Sequence, residues 1–489
     1  MQISVYGREE MISFNRININ TLDDYKKLRD YVDKTHIDDI TISTLRDHLG
    51  TDISSIIVEW PYYDRDYLSS YYIHHSKKLK EYSKYCYRLH FISKENTYVG
   101  YSLLRPVMPG RHLGRTYLDP KIVIKEQAAL ISGKYSSHFL GEKFEILGFP
   151  WMMQETDITV CAHIALWNVL RYYGTKYPHY ESPSLGDVVE KVHAEWGRKT
   201  PSIGLTPVQV SDVLSAYDFF PIIRGFSRDN IQELTDELLV YLESEVPVIG
   251  MSDVNQHAVT FVGRGAYNYN LLKDDFFIRK HKSQKGNFIL STQLINSTYV
   301  MDDNLFPYAR VDRLASKQSD AAYSIGEMTY LVIPVFERMQ LAYHKLYGRI
   351  EALFSSKGTN YNSFAWQDGL HVVRIYIASA NKLKSTIAHL EGINEILRDA
   401  IVRLPLSRFV WCVDISTPEE FEQEKISGRI LIDTTAGTNE SEPWLLMHDN
   451  RHIMLYDTMP HNKTPKMIMQ YTDIRPYEMY KGELYRLDN

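Results

Sequence analysis

Cysteine is scarce in this sequence of 489 residues, which contains only Cys86, Cys161 and Cys412. So few thiols do not make a disulfide framework, and they predict a protein of a reducing compartment whose cysteines stay free for chemistry. No signal peptide is expected either, because the first residues have neither a basic start nor a long apolar core. No stretch approaches the roughly 20 apolar residues that a membrane-spanning helix needs. We therefore expect a cytoplasmic protein with no membrane partner.

An excess of positive charge is absent as well. The chain has 55 Lys and Arg residues against 61 Asp and Glu, which gives a net charge of −6. Nucleic-acid-binding domains carry a basic face, so we expect no nucleic acid partner. The 18 histidines show none of the spacings of zinc motifs, and no carboxylate-rich calcium loop is present. The sequence thus predicts neither a metal nor any other cofactor.

Internal repeats and low-complexity linkers are missing too, which favours closely packed domains. A chain of this length with 44% hydrophobic and 24% charged residues is large enough for two or three of them. Changes of pattern predict an N-terminal α+β domain at 1–145, a central domain at 146–335 and a C-terminal α+β domain at 336–489. Helical periodicity is predicted over 21–32, 336–354 and 382–402, and strands over 54–60, 98–106, 370–378, 409–414, 428–433 and 452–456.

What the sequence does contain is a thiol at the predicted start of a helix. Cys161 opens an apolar, periodic segment, and Gln154 lies seven residues before it. A helix N-terminus stabilises a thiolate through its unpaired N–H groups and its partial positive charge. The other two cysteines are read as buried small hydrophobic residues, Cys412 in a strand and Cys86 in a tyrosine-rich helical stretch. For Cys161 the competing interpretation is a buried cysteine on a core helix.

Partners for such a nucleophile lie far downstream. His257 begins an apolar strand, and Asp302, Asp303 and Asn304 follow another strand. A cysteine with distant His and Asp or Asn residues is a candidate nucleophile, because folding brings them together. Strand alternation puts Asp302 and Asp303 on opposite faces, so only one of them can orient His257. Asn304 is the third candidate for this role, and an unused acid could cap the turn that follows.

These pieces, in this order, resemble the papain-like cysteine peptidases, and more closely their compact bacterial branch of C39-like peptidases. The resemblance covers about 149–334 and includes Glu245-Val-Pro-Val-Ile and His257-Ala-Val-Thr-Phe-Val-Gly. It implies a helix packed on an antiparallel sheet, with a protein or peptide as the substrate. It also implies hydrolysis of a peptide or isopeptide bond through a Cys161 thioester, with His257 as base and acid. Gln154 and the Cys161 N–H would bind the oxyanion, and Asp302 aligns slightly better than Asp303.

The chain also departs from the family's pattern. Ala162 and His163 follow the cysteine where the family usually has small residues, above all glycine, and 264–297 is an insertion before the acidic pair. Two alternatives of other classes stay open: acyl transfer of the deamidase or transglutaminase kind, and a catalytically silent peptide-binding module. The flanking domains are expected to select the substrate or close the cleft, and a removable propeptide at 1–145 is the alternative. The oligomeric state stays open.

One loop outside this segment is rich in arginine, glycine and proline. It runs over 105–115 and contains Arg105, Arg111 and Arg115. It could be an anion site, but we predict an ordinary connection whose arginines meet solvent.

Overall fold

The computed structural model describes residues 12–155, 158–193, 204–283, 286–355, 364, 366, 369–437, 443–456 and 474–488, and the backbone of 465–470. It is a mixed structure of helices and several mainly antiparallel sheets, which confirms the predicted α+β class. Among the residues described, no helix combines the length and the apolar character needed to cross a bilayer.

The N-terminal region is built on a five-stranded antiparallel sheet in the order β1-β2-β3-β4-β5, followed by the hairpin β7-β8. Its elements are β1 (Ser13–Asn18), α1 (Asp39–Leu49), β2 (Ile53–Tyr62), α2 (Arg65–Ile73), β3 (Cys86–Ser93), β4 (Tyr98–Leu104), β5 (Leu113–Leu118), β6 (Ala128–Leu130), β7 (Gly133–Phe139) and β8 (Glu142–Gly148).

Two predictions in this region need correction. The helical stretch over 21–32 forms a 3-10 helix at Leu22–Asp30, which buries Tyr25 and Leu28. Cys86 begins strand β3 and does not lie in a helix. Because β3 is a central strand that is buried along nearly its whole length, its sequence lacks the two-residue alternation that identifies half-buried strands. Cys86 is nevertheless fully buried.

The central region contains an antiparallel path of six strands in the order β14-β13-β11-β10-β15-β9. Helix α3 packs on β11, where the Thr260 hydroxyl donates to the carbonyl of Ala165 over 3.3 Å. The elements are α3 (Cys161–Lys176), α4 (Leu185–Lys191), α5 (Pro207–Ser215), β9 (Ile222–Gly225), α6 (Ile231–Glu243), β10 (Val248–Ser252), β11 (His257–Gly265), α7 (Asp275–His281), β12 (Phe288–Leu290), β13 (Ser297–Met301), β14 (Ala309–Asp312) and β15 (Tyr330–Ile333).

The C-terminal region forms a seven-stranded sheet in the order β12-β16-β17-β19-β20-β21-β22. Its elements are α8 (Tyr343–Ser355), β16 (His371–Ser379), α9 (Ala380–His389), α10 (Glu395–Arg403), β17 (Phe409–Ser416), α11 (Pro418–Glu422), β18 (Lys425–Ile426), β19 (Gly428–Asp433), β20 (Trp444–His448), β21 (His452–Tyr456), β22 (Pro465–Gln470), β23 (Tyr477–Glu478) and β24 (Tyr485–Leu487).

Two helix predictions here are wrong in extent. The single helix over 382–402 is two helices, α9 and α10, separated by a turn in which Gly392 has a φ of +75°. Asn394 then caps α10 by accepting from the backbone N–H groups of Ile396 and Leu397. The helix predicted from 336 begins only at Tyr343, because the preceding residues bond to the C-terminal sheet through the carbonyl of Thr434.

The three regions share strands. Strand β12, from the segment between β11 and the acidic pair, pairs in parallel with β16 and so belongs to the C-terminal sheet. Strand β6 of the N-terminal region pairs with β11, and β24 near the C-terminal end pairs with β6. The boundaries at 145 and 335 stay predictions, and backbone hydrogen bonds cross both of them.

Candidate active site

A cavity of about 1020 Å³ opens where the N-terminus of α3 meets the first residue of β11. Gln154, Cys161, His257 and Asp302 all line it, although the sequence separates them widely. One further wall comes from Val192 and residues 204–206, which follow α4 and precede α5, and another from the β10-β11 hairpin. Folding therefore brings four of the five predicted site residues to one cavity.

Cys161 is the first residue of α3 and is partly buried. The N-cap residue Val160 has no side chain that could cap the helix, and its own N–H donates to His163 Nδ1 over 3.2 Å. Burial lowers the pKa of His163 to about 4, so this ring is neutral and Nδ1 is free to accept. His163 is thus a buried part of the first helical turn.

His257 connects the thiol to an acid. Its Nε2 lies 3.0 Å from Asp302 Oδ1, and the ring is also hydrogen-bonded to the Cys161 side chain. Burial acts to lower the pKa of His257, but the hydrogen bonds with Asp302 and Cys161 outweigh it. Together with the charges of Asp302 and Asp303 they raise that pKa to about 10. The imidazolium form of His257 is therefore favoured at neutral pH.

Asp302 is the acid that contacts His257. Its Oδ1 also accepts from the N–H of Asn304 over 2.8 Å, and its Oδ2 accepts from the hydroxyl of Tyr323 over 2.7 Å. Burial acts to raise the pKa of Asp302, but these hydrogen bonds and the charge of His257 hold it below its ordinary value. A carboxylate held in this way stays ionised and fixes the orientation of the ring.

Asp303 lies beside Asp302 in the turn after β13, and it forms no hydrogen bond with His257 although one of its oxygens lies within 4.8 Å of a ring nitrogen. It is 2% exposed, and neither carboxylate oxygen finds a hydrogen-bond partner in the described part of the chain. Burial, and then the charge of Asp302, raises the pKa of Asp303 to about 7. Asn304, the third candidate, supports Asp302 through its N–H.

Gln154 reaches the cavity at the end of a short extended segment. Trp151 forms an isolated antiparallel bridge with Thr116, and the N–H of Met153 donates to the carbonyl of Leu113. The indole N–H of Trp151 also donates to the carbonyl of Asp302 over 2.7 Å. The same segment therefore carries the amide predicted to bind the oxyanion and a contact to the acid that orients His257.

The prediction that the arginines of loop 105–115 meet solvent is wrong. Arg105 is 2% exposed, and its Nη2 donates to three carbonyls, including that of Met153 at 2.9 Å. Arg111 donates to the carbonyl of Asp303 at 3.3 Å and to Asn304 Oδ1 at 2.8 Å. The loop therefore supplies donors to backbone carbonyls next to Gln154 and next to Asp302, and buried carbonyls need such partners.

Sequence reasoning missed Tyr323, Trp151, Arg105 and Arg111. Tyr323 is one of 36 tyrosines, and nothing in its spacing distinguishes it from the others. For the two arginines a signal existed, because two glycines within the loop let backbone and guanidinium groups approach closely. A Cβ on Gly114 would lie 2.9 Å from Arg105 Cδ.

Among the described residues, one group could hold a metal ion. His257, Asp302 and Asp303 each offer one ligand atom, and these atoms lie within 4.8 Å of one another. Asp302 already receives hydrogen bonds from His257, Asn304 and Tyr323 at its two oxygens, which leaves it little capacity for a cation. The arrangement favours proton transfer, and the absence of a metal stays a prediction.

The chain matches no protein-family model, no curated protein and no solved structure. The function is therefore argued from the residues of this cavity.

Proposed function

We propose that this chain is a cysteine peptidase with a papain-like core, which hydrolyses a peptide or isopeptide bond. The observation that carries the proposal is the catalytic row, by which we mean the hydrogen-bonded side chains of Cys161, His257 and Asp302. The thiol is hydrogen-bonded to a ring whose Nε2 lies 3.0 Å from the carboxylate. A nucleophile, a base and a group that orients the base, all within hydrogen-bond reach, form the arrangement that acyl transfer needs.

In the first half of the reaction, the Cys161 thiolate attacks the substrate carbonyl carbon and forms a tetrahedral oxyanion. Gln154 and the N–H of Cys161 are the proposed donors to this oxyanion, and one such donor lowers the barrier by about 3 kcal/mol. His257 then gives its proton to the leaving amine as the C–N bond breaks. The acyl group is left on Cys161 as a thioester.

In the second half, His257 acts as a base. It takes a proton from a water molecule, whose oxygen attacks the thioester carbonyl. The second tetrahedral intermediate collapses, the C–S bond breaks, and the carboxylic acid leaves while the thiolate and imidazolium are restored. Asp302 keeps the imidazole in one orientation throughout, because its Oδ1 stays bonded to Nε2.

The size of the cavity supports a peptide as the substrate. Sites for small molecules occupy about 300–1000 Å³, and this cavity of about 1020 Å³ is slightly larger than that. Its walls contain apolar side chains such as Leu205, Met251 and Leu305 as well as amides such as Gln209 and Asn255. A cleft of this kind fits a peptide segment with side chains on both sides of the scissile bond.

The test uses the full-length protein and a mixture of short peptides, with products identified by mass spectrometry. We expect fragments with new free carboxyl termini from the wild-type protein and none from Cys161→Ala. Cys412→Ala is the matched control, because Cys412 is a free thiol that lies buried in β17 and away from the cavity. Peptides that lose ammonia or gain an amine without cleavage would support acyl transfer instead. Peptides that bind and stay unchanged would support the silent binding module.

A further inference from the structure

A second acid lies beside the catalytic row without taking part in its hydrogen bonds. Asp303 is buried, both of its oxygens lack partners in the described residues, and one of them lies within 4.8 Å of ligand atoms of His257 and Asp302. Buried carboxylates are normally hydrogen-bonded, because burying an unpaired polar group is unfavourable. An unpaired carboxylate beside a proposed active site calls for a functional explanation.

The groups that face Asp303 come from several elements. Arg111 extends from the N-terminal loop, but its Nη1 donates to the Asp303 carbonyl and to Asn304. It therefore lies nearby without forming an ion pair with the Asp303 carboxylate. The charges of Asp302, His257 and Arg111 act on the pKa of Asp303. Asp303 in turn acts to raise the pKa values of His257 and Tyr323. Cys161 is hydrogen-bonded to His257.

We infer that Asp303 is a positioning residue of the site, whose ionised carboxylate favours the charged form of His257 without touching it. The inference rests on the proposed roles of Cys161 and His257. In a buried site a unit charge at this distance acts strongly, because little solvent screens it. A negative charge on Asp303 favours the imidazolium that must face the thiolate and later protonate the leaving amine.

The position of Asp303 also makes the charge costly to the fold. Its pKa in the folded protein, about 7, lies above the ordinary value of 3.8. For an acid with a raised pKa, the contribution to stability is present at low pH and is lost as the pH rises from about 4 to about 7. Above that window the folded protein keeps a destabilising charge beside His257. Sites that trade stability for activity behave in this way.

The experiment is Asp303→Asn in the full-length protein, because the amide has the same shape and no charge. We expect His257 to titrate at lower pH, measured by NMR on histidine-labelled protein with the His257 signal assigned by its loss in His257→Gln. We expect the alkaline decline of kcat/KM, which lies near pH 10 in the wild type, to begin at a lower pH in the variant, because less of His257 stays charged there. We also expect the melting temperature at pH 8 to rise by about 2–4 °C, because the buried charge is gone.

Asp236→Asn is the matched control. Asp236 is also buried with a raised pKa, but it lies in α6 and is bonded to Thr292, away from the cavity. We expect it to leave the His257 titration and kcat/KM unchanged.

Two results would overturn the inference: an unchanged His257 titration in Asp303→Asn, or a lower melting temperature with lower activity, which indicates a packing role. If the wild-type protein cleaves no peptide while the titration still shifts, the proposed function fails and the electrostatic role of Asp303 stands.

Discussion

Asp302 holds three hydrogen bonds at its carboxylate, from His257, the Asn304 N–H and Tyr323. The negative charge of Asp302 and its hydrogen bond with Nε2 favour the imidazolium form of His257, whose pKa of about 10 lies above its ordinary value. The charged form is therefore complete at neutral pH and is lost as the pH rises through about 10.

For Asp302→Asn we expect kcat to fall by about a hundred- to ten-thousandfold, because the amide neither charges the site nor fixes the same tautomer. In a pH profile, the activity of the wild type should decline on the alkaline side near pH 10. In Asp302→Asn this decline should occur at a lower pH. If activity declined at the same alkaline pH in the variant as in the wild type, the assignment of Asp302 would be contradicted.

Tyr323 donates to the second carboxylate oxygen of Asp302, so a substitution of Tyr323 is a separate test of the role of Asp302. Tyr323→Phe removes one hydrogen bond to a charged group, which contributes about 1.5–3 kcal/mol. We expect kcat to fall about tenfold or more, measured by steady-state kinetics. Tyr376→Phe is the matched control, because the Tyr376 hydroxyl donates to the buried carboxylate of Asp414 in the C-terminal sheet. Equal losses of kcat in the two variants would show that Tyr323 has no special part.

Residue order alone was enough to select Gln154, Cys161, His257 and the acidic pair. It could not choose between Asp302 and Asp303, because strand alternation says only that the two diverge. The choice depends on the turn after β13, and that turn is held by Arg111 and Trp151 from the N-terminal half of the chain. Contacts of that range leave no local pattern in a sequence.

Among the elements, loop 105–115 bears most directly on the site. The Arg105 guanidinium joins the carbonyls of Arg111, Leu113 and Met153, and Met153 precedes the proposed oxyanion donor Gln154. For Arg105→Gln we expect a loss of about 1–3 kcal/mol in the free energy of unfolding, because buried carbonyls lose their donor. Denaturant unfolding measures it.

We also expect Arg105→Gln to lower kcat more than it changes KM, since Gln154 is the proposed donor to the oxyanion. Arg403→Gln is the control, because Arg403 is an exposed residue at the end of α10. If Arg105→Gln were as stable and as active as this control, the loop would be an ordinary connection after all.

Four strands of the C-terminal region, β16, β17, β19 and β21, were predicted to within two residues at either end, whereas β20 and β22 of the same sheet were not predicted. The apolar runs of those four strands are bounded by polar and turn-forming residues, so local pattern suffices. The break between α9 and α10 was not predictable in this way, because apolar spacing continues across it. Only the positive φ of Gly392 and the capping by Asn394 reveal the turn.

On the scale of the whole molecule, the N-terminal region is joined to the helix that carries Cys161. Asp66 of α2 accepts from the Trp167 indole N–H at 2.9 Å, from Arg171 at 2.6 Å and from the N–H of Leu185 at 3.2 Å. These contacts bear on the alternative in which 1–145 is a removable propeptide. Removal of 1–145 would take away the Asp66 carboxylate and leave its three buried partners unpaired, which is unfavourable. The contacts therefore argue against a removable propeptide.

For Asp66→Ala we expect a loss of about 3–5 kcal/mol, because Arg171 is left buried without its partner. Thermal and denaturant unfolding of the full-length protein measure this loss. We expect a chain that lacks 1–145 to be insoluble, since it also loses β6 from the central sheet. A soluble and active truncated chain would support the propeptide.

The pairing of β12 with β16 and of β24 with β6 could not be predicted from the sequence. Strand propensity says that a segment is extended, but partner and register depend on packing across the whole chain. Sequence patterns therefore indicated three regions, and the structure adds that these regions exchange strands.

The central claim is that Cys161 is a nucleophile activated by His257, and alkylation of the native protein tests it most directly. The measurement is the rate at which iodoacetamide modifies each of the three cysteines at neutral pH, located by mass spectrometry. We expect Cys161 to react first, because Cys86 and Cys412 are buried and burial raises the pKa of both thiols. We expect the Cys161 rate to fall by about tenfold or more in His257→Gln, since the thiolate loses its cationic partner. An equal rate in that variant, or modification of Cys161 only after unfolding, would contradict the claim.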